Sequence, residues 1–210
     1  MIQSMKKNGL ILGLFGLAAT TLVALTHSAT KTRIAEQQQQ QLLNTIAQLI
    51  PSELYNNQPA EQCYWQYSSQ FLGTEQPMAA FIATYDGQPT AVALEAIAPD
   101  GYNGQIALIV GIDWQGQLLG VRTLSHSETP GLGDLIDKRR SNWVDNFVGY
   151  RLESENDPRF AVKRDGGDFD QFTGATLTPR AYVKAVKNAL IYFQYHQQSL
   201  MNGPTCGASI

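Results

Sequence analysis

The sequence predicts an α+β fold: an antiparallel sheet covered by helices, preceded by one N-terminal transmembrane helix. Three observations lead to this prediction. An uncharged apolar run lies near the N-terminus, four strand-like segments follow one another with short turns between them, and an amphipathic helical segment comes after the strands. Strands that are followed by helices, without regular alternation of the two, favour an α+β over an α/β architecture.

The N-terminal run is long enough to be a membrane anchor. Residues 9–26, which read GLILGLFGLAATTLVALT, are 18 uncharged residues, near the lower limit for a helix that crosses the hydrocarbon core. The alternative is a cleaved signal peptide, whose apolar core usually has about 7–15 residues and ends at a site of small residues. This run is longer, and Thr26-His27-Ser28 is a poor cleavage site, so we predict a retained anchor.

The short N-terminal tail predicts on which side of the membrane the rest of the chain lies. Lys6 and Lys7 precede the anchor and favour a cytoplasmic tail, which places the C-terminal domain outside. Lys31 and Arg33 follow the anchor, so the count of positive charges discriminates only weakly between the two orientations.

Two cysteines, Cys63 and Cys206, both follow the anchor. In an oxidising compartment such a pair can form one disulfide, whereas a reducing compartment keeps the thiols free. The sequence alone leaves both states open. In either state, two cysteines are too few for a disulfide-rich scaffold or a CxxC metal site.

The segment between the anchor and the strands predicts a helix and then irregular chain. Across residues 31–50, apolar side chains recur at helical spacing until Pro51 stops the pattern. Residues 51–77 contain Pro51, Pro59 and Pro77 and show no clear periodicity, so we expect no regular element there.

Four strands are predicted from two hairpin patterns. Asp86-Gly87 separates Ala79–Tyr85 from Thr90–Ile97, and Gln115-Gly116 separates Gln105–Trp114 from Leu118–Ser125. Short glycine-containing turns between strand-like runs are typical of β-hairpins. Four consecutive strands with short connections therefore predict an antiparallel sheet.

The chain after the strands predicts two helices. Residues 134–147 look helical, residues 160–163 look like a short strand, and residues 165–178 look like a loop. The second helix, Pro179–Tyr195, has the clearest apolar stripe. Thr178 suits its N-cap and Pro179 its first helical position.

Charge and missing motifs exclude several classes of function. The net charge is −3, from 15 basic and 18 acidic residues, and without a basic stripe nucleic-acid binding is not expected. The G-x-S-x-G, P-loop, G-x-G-x-x-G and H-E-x-x-H motifs are missing, so hydrolase, NTPase, nicotinamide dehydrogenase and zinc-protease functions lack support. His126 and Glu128 are too few ligands for a metal site.

Two segments have the composition of a ligand site. Residues 170–179, DQFTGATLTP, place small residues and threonine hydroxyls just before a helix start, where free N–H groups and the helix dipole favour a phosphate. Residues 126–133, HSETPGLG, combine a Pro130-Gly131 turn with the hydrogen-bonding groups of Glu128 and Thr129. On physical grounds alone, an ordinary loop is the more frequent outcome for each segment.

A motif in the first of these segments connects the chain to a known family. The string Asp170-x-x-Thr173-Gly174-Ala175-Thr176 matches the pattern D-x-x-[ST]-G-A-[ST] of covalent flavin attachment. The run ETPGLG at 128–133, the Gly-Tyr-x-Gly turn at 101–104 and the basic start before one anchor agree with it. Over essentially its whole length, the chain resembles the FMN-binding G subunit of the Rnf (also called Rsx) ion-translocating electron transport complex.

This resemblance implies a flavoprotein subunit that relays electrons and is not a complete enzyme by itself. A flavin transferase would join the phosphate of FMN to Thr176 Oγ as a phosphoester. The residues expected to bind the cofactor are Thr176, Thr173, Gly174, Ala175, Leu177, Glu128 and Thr129, with Tyr102 as a further candidate beside the ring.

The resemblance also implies a place in the cell and a division of the chain. The protein would cross the bacterial inner membrane once, beside other subunits of the complex, with its FMN domain in the periplasm. We expect an anchor at 1–30, a lead-in at 31–77, the FMN-binding domain at 78–200 and a tail at 201–210. Two alternatives are the C subunit of a sodium-translocating NADH:quinone reductase, which has the same layout and is usually longer, and a structural subunit without flavin.

Overall fold

The computed structural model describes residues 2–206, apart from the side chains of residues 2–5, 32, 35, 36, 38 and 39. The chain forms two compact units, one up to Leu42 and the other from Leu43 onward. Of the predicted tail at 201–210, residues 207–210 lie outside the described residues.

One long helix, α1 (Ile2–Leu49), contains both the predicted anchor and the predicted helix that follows it. Between Gly16 and Pro51 the sequence has neither glycine nor proline, so nothing in this stretch interrupts the helical hydrogen bonds. Its segment Lys6–Lys31 is long and apolar enough to cross a membrane, and its large apolar side chains, such as those of Leu12 and Phe15, are exposed. This is the expected state of side chains that face lipid.

The second unit is built on a five-stranded antiparallel sheet with the order β1-β2-β3-β4-β5. The strands are β1 (Cys63–Ser68), β2 (Thr74–Tyr85), β3 (Gln88–Ala98), β4 (Ile106–Asp113) and β5 (Leu118–Ser125). Both predicted hairpins are confirmed. Asp86 and Gly87 have φ values of 50° and 78°, which suits the tight turn between two twisted strands.

Strand β1 contradicts the prediction that residues 51–77 are irregular. It pairs with β2 through partners such as Cys63 with Phe81 and Trp65 with Ala79. The prediction was wrong because it treated the prolines as strand breakers. Pro77 lies in β2 opposite the irregularity between Gln66 and Ser68 of β1. The N–H that proline lacks would therefore not have formed a regular hydrogen bond between these strands.

A short helix, α2 (Ser69–Leu72), joins β1 to β2, and a long helix, α3 (Leu177–His196), follows the sheet. With the 3₁₀ segments before it, α3 covers one face of the sheet. The shared core includes Ile82, Leu94, Leu108 and Val110 of the sheet with Val183, Val186 and Leu190 of α3. Burial of each such side chain contributes on the order of 1.5–3 kcal/mol, so this face supplies much of the stability.

The other face of the sheet is covered by the end of α1. Leu49 lies above Gly111 and Gly120, where a Cβ would be only 3.2 and 3.1 Å from the Leu49 side chain. The two glycines on neighbouring strands therefore make room for this buried leucine.

The predicted helix at 134–147 is wrong. Two 3₁₀ segments, Gly133–Ile136 and Trp143–Phe147, stand in its place. Between them the Asp137 carboxylate accepts from the Arg139 N–H (2.9 Å), and the Ser141 hydroxyl donates to the Leu135 carbonyl (2.6 Å). Such local side-chain bonds compete with helical ones, although the apolar spacing alone fits a helix. The predicted strand at 160–163 is reduced to a single bridge from Val162 to Phe169.

The last described residues pair with the edge of the sheet. The Trp65 N–H donates to the Pro204 carbonyl (2.8 Å), and the Cys206 N–H donates to the Cys63 carbonyl (2.9 Å). Cys63 and Cys206 form a disulfide across this pairing, with Cα atoms 5.3 Å apart. Of the two cysteine states that the sequence left open, the structure contains the paired one.

Candidate functional site

The Thr-Gly-Ala-Thr motif begins with a tight turn. The Ala175 N–H donates to the Phe172 carbonyl (3.1 Å), and Gly174 between them has a φ of 81°. Only glycine adopts this conformation without strain. A Cβ at Gly174 would also come within 3.3 Å of the Leu132 side chain, so the motif lies directly against the preceding loop.

Buried aromatic rings hold this turn from below. The Trp143 indole N–H donates to the carbonyl of Asp170, the first motif residue (2.8 Å), and the Trp143 and Phe172 rings lie edge to face with centroids 5.1 Å apart. Both rings are buried, whereas Thr173 and Gly174 are exposed. The motif therefore packs on buried aromatic side chains on one side and is exposed to solvent on the other.

The motif ends at the start of α3. Thr176 is the N-cap residue, half-buried, with helical backbone angles (φ −83°, ψ −30°) and no side-chain capping bond. N–H groups in the first turn of a helix have no intrahelical acceptor, and the dipole of a 20-residue helix adds positive potential there. A phosphate next to Thr176 would be stabilised by both effects.

A cationic side chain stands in the same first turn. Arg180 forms two hydrogen bonds with the Asp165 carboxylate, at 2.5 and 2.6 Å. This guanidinium holds the pKa of the Asp165 carboxyl below its usual value. Because Asp165 already partners it, Arg180 contributes less net positive charge to the helix start than a free arginine would.

The loop at 126–133 has the turn that its sequence predicts. Gly131 has a φ of 78°, and its N–H donates to the Asp134 carboxylate (2.7 Å). The Thr129 carbonyl accepts from the N–H groups of Leu132 and Gly133, both at 3.1 Å. This closed turn directs Leu132 towards the motif.

Glu128, in the same loop, is buried and joins three segments of the chain. Its carboxylate accepts from the Asn103 N–H (3.1 Å) with one oxygen and from the Thr178 hydroxyl (2.6 Å) with the other. Thr178 is therefore not the N-cap that the sequence predicted; it lies inside the first turn of α3 and is fully buried. The turn at 101–104, the loop at 126–133 and the start of α3 thus meet at Glu128.

Comparison with known proteins places this site in a family. The sequence-family model of an FMN-binding domain matches residues 101–191, and the sequence-family model of an RnfG N-terminal region matches residues 1–49. Two proteins named as the G subunit of an ion-translocating oxidoreductase complex, from Shewanella baltica and Shewanella oneidensis, are each 56% identical to the chain, over 97% of it and 96% of their own length. The protein of that name from Vibrio cholerae is 53% identical over 97% of both chains. The chain belongs to the RnfG family.

Two solved structures resemble this RnfG-family chain more distantly. The C subunit of the Na⁺-translocating NADH-quinone reductase from Parabacteroides distasonis is 20% identical, covers 80% of this chain and 97% of that one, and has a TM-score of 0.49. Shewanella oneidensis NqrC is also 20% identical, covers 72% and 73% of the two chains, and has a TM-score of 0.46. Since the relatives above half identity are named as G subunits, the quinone-reductase alternative is not favoured.

The residues expected to bind the cofactor fall into three environments in this RnfG-family chain. Thr173, Gly174 and Leu177 are exposed, Ala175, Thr176 and Thr129 are half-buried, and Glu128 is buried. Three large apolar side chains of these segments are exposed: Leu132 (40% exposed), which lies against Gly174, Leu177 (51%), which directly follows the motif, and Tyr102 (67%) in the turn at 101–104. Large apolar groups that are grouped at a surface are typical of a place that another apolar body covers.

Sequence reasoning missed three members of the site: Leu132, Asn103 and Thr178. Leu132 stands within ETPGLG, so its position beside the acidic and turn residues was the only available signal. Asn103 takes part through its backbone N–H, which no sequence pattern reveals. Thr178 was interpreted as a cap because Thr before Pro is typical of helix starts.

His126 has a structural role in the loop. Its Nδ1 accepts from the Glu128 N–H (3.1 Å), and its Nε2 lies 3.9 Å from the Asp137 carboxylate. Within residues 2–206, no group of three or more His, Cys, Asp and Glu side chains is arranged to hold a metal ion.

Proposed function

We propose that the chain carries FMN as a phosphoester on Thr176 Oγ and relays electrons through it in an ion-translocating electron transport complex of the membrane. The single observation that most supports this is the place of Thr176: the last residue of the flavin-attachment motif is the N-cap of α3. The match to an FMN-binding domain, which includes the loop at 126–133 and the start of α3, agrees with it. The family membership supports the complex and the membrane anchor.

The described residues suit the two parts of FMN differently. Around Thr176, the phosphate would be held by the Thr173 hydroxyl and by backbone N–H groups of Gly174 and Leu177, where the helix dipole favours negative charge. The exposed side chains of Leu132 and Leu177, with Tyr102 as a further candidate, would supply the apolar surroundings that an isoalloxazine ring requires. Thr129 and Glu128 support that surface from the loop beneath.

The chain's own part in electron transfer is to bind and to orient. Bound FMN supplies the redox chemistry, since a flavin accepts and releases one or two electrons. A phosphoester joins the cofactor through its ribityl phosphate and leaves the ring electronics unchanged, so contacts from the protein set the reduction potential. The covalent link also prevents loss of FMN in a compartment where it is not replaced.

Attachment requires an activated flavin and a flavin transferase. Free FMN would have to expel water to esterify a threonine, whereas FAD contains the same phosphate in an anhydride. In the proposed step, Thr176 Oγ attacks the FMN phosphorus of FAD, the pyrophosphate P–O bond breaks, AMP leaves, and the hydroxyl proton passes to a base of the transferase. We propose such a transferase as the maturation partner.

The proposal is tested with the full-length chain in detergent after co-expression with a flavin transferase. Covalent attachment predicts that yellow colour stays with the protein after denaturation and that the intact mass rises by one FMN less water. Peptide mapping should place the added mass on the peptide that contains Thr176. An unmodified mass in spite of active transferase would favour the structural subunit without flavin.

We further propose that the FMN domain lies in the periplasm, within the domain bounds expected from the sequence. Lys6 and Lys7 before the anchor and the disulfide between Cys63 and Cys206 both support this side of the membrane. Alkaline phosphatase fused to the C-terminus should be active, because it folds only after export. Green fluorescent protein fused at the same position and exported by the same route should be dark. Fluorescent cells without phosphatase activity would mean that the domain lies in the cytoplasm.

Replacement of Glu128 by glutamine should make the flavin easier to reduce. The buried carboxylate carries negative charge close to the start of α3, and its removal lowers the electrostatic penalty for adding electrons to the ring. A redox titration of the labelled full-length chain in detergent should show a more positive midpoint potential. Glu75→Gln, at an exposed position of β2, is the matched control and should leave the potential unchanged. A potential that Glu128→Gln does not alter would place the carboxylate outside the electrostatic reach of the ring.

A further inference from the structure

We propose that Glu128 is a positioning residue for flavin attachment: through the Thr178 hydroxyl it fixes the first turn of α3 and thereby presents Thr176 Oγ to the flavin transferase. This inference rests on the proposed function. It gives Glu128 a role through Thr178, in addition to the expected place beside the flavin ring.

The burial of Glu128 is the first argument. Glu128 is 5% exposed and Thr178 is fully buried. A carboxylate in such a place is strongly unfavourable unless both oxygens have partners. Here each oxygen accepts one hydrogen bond, from Asn103 and from Thr178, and the latter at 2.6 Å is as short as a charge-assisted bond should be.

Two glycines approach this carboxylate closely, one from each side. A Cβ at Gly133 would lie 2.6 Å from Glu128 Oε2 and 2.9 Å from Thr178 Oγ1. A Cβ at Gly101 would lie 2.2 Å from the Gly104 carbonyl oxygen of its own turn and 2.9 Å from Glu128 Oε1. Neither glycine has a positive φ, so close approach and not backbone conformation requires them. The chain is thus closely fitted around the Glu128–Thr178 contact.

The state of Thr176 connects this contact to the chemistry. A threonine at an N-cap usually has extended backbone angles and accepts a bond from an N–H of the first turn. Thr176 has helical angles and makes no such bond. Its hydroxyl is therefore not used for capping, while Glu128 holds the helix start two residues later through Thr178. This division leaves the Thr176 hydroxyl available as the attacking group.

The test measures flavin transfer to the purified, unlabelled full-length chain in detergent, with FAD and a flavin transferase. In-gel flavin fluorescence gives kcat and KM with respect to the chain, and the final extent of labelling gives the fraction that is competent. Thr178→Val should lower kcat by about tenfold to a hundredfold, the loss expected for one hydrogen bond to a charged group. KM and the final extent should change little, because Thr176 remains the acceptor and the surface that the transferase binds is kept.

Conservative variants separate positioning from folding. Thr178→Ser keeps the hydroxyl, so its kcat should lie within about threefold of that of the original chain. A threefold decrease is smaller than the effect of losing one hydrogen bond. Glu128→Gln offers one acceptor where the carboxylate offers two, so its kcat should also fall, and the double variant Glu128→Gln/Thr178→Val should be no slower than Thr178→Val alone. Thr84→Val on β2 is the matched control for a buried threonine and should leave kcat unchanged.

Each outcome decides the inference. Unchanged kcat in Thr178→Val, or in Glu128→Gln if Thr178→Val does not fold, overturns it. A lower final extent with unchanged kcat also overturns it, because that result describes loss of folded chain. If the original chain is never labelled by a transferase that labels a known substrate, the proposed function itself has failed, which is a different result.

Discussion

Replacing Thr176 with alanine should abolish covalent FMN completely. The phosphoester needs an oxygen nucleophile at the last motif position, and alanine has none. The hydroxyls of Thr173 and Thr178 do not substitute for it: Thr173 lies before the turn at Gly174, and Thr178 is buried with its hydroxyl bonded to Glu128. Intact mass after co-expression with the transferase should show only unmodified chain.

Two neighbouring variants serve as controls for this result. Thr176→Ser keeps a hydroxyl and should be labelled in part, because serine has more rotamer freedom than a β-branched threonine. Thr178→Ala keeps the acceptor and should still become labelled, although more slowly because the contact with Glu128 is lost. Flavin on the mapped peptide of Thr176→Ala would show that another atom is the acceptor.

Removing the disulfide should cause the largest loss of stability. The Cys63–Cys206 bond closes a loop with a sequence separation of 143 residues. The chain-entropy relation for a loop of this length gives about 5 kcal/mol of unfolding free energy, since the bond restricts the unfolded chain. The double variant Cys63→Ser/Cys206→Ser should therefore unfold at a clearly lower urea concentration, followed by the fluorescence of tryptophans such as Trp65 on β1.

A reductant distinguishes the bond from the side effects of two serines. Dithiothreitol should shift the urea midpoint of the original chain towards that of the double variant and leave the double variant where it is. The flavin should stay attached when dithiothreitol reduces the disulfide, because a thiol does not cleave a phosphoester. Equal midpoints with and without dithiothreitol in the original chain would mean that the cysteines are not joined in solution.

The parts of the fold that could be predicted are those that nearby residues determine. The hairpin at Asp86-Gly87 depends on two turn residues and the strands beside them, and the membrane segment depends on one uninterrupted apolar run. The turn of the Thr-Gly-Ala-Thr motif is equally local, since its glycine and the helix start that follows lie within Asp170–Thr178. In such features, the residues that contact one another are also close together in the sequence.

Two of the features that could not be predicted depend on partners far along the chain. Strand β1 becomes a strand because β2 and the residues at 204–206 pair with its two sides. Thr178 leaves its expected capping role because Glu128, 50 residues earlier, accepts its hydroxyl. The apolar spacing of 134–147 was interpreted as a helix, and the side-chain bonds of Asp137 and Ser141 to the backbone decided otherwise. No short window of sequence contains the contacts of β1 or of Thr178, whereas the bonds of Asp137 and Ser141 are local but compete with an apolar spacing that fits a helix.

The pairing of the chain's late residues with β1 also sets an order of events during synthesis. β1 is made among the first strands, whereas Cys206 follows every strand and helix. At about 5–20 residues per second, the 143 residues that separate Cys63 from Cys206 take roughly 7 to 30 seconds to make. During that time the outer edge of β1 has unpaired backbone groups and a free thiol, and such edges invite pairing with other chains. Until Cys206 has been made, the newborn protein is thus exposed to misassembly and to disulfides with other chains.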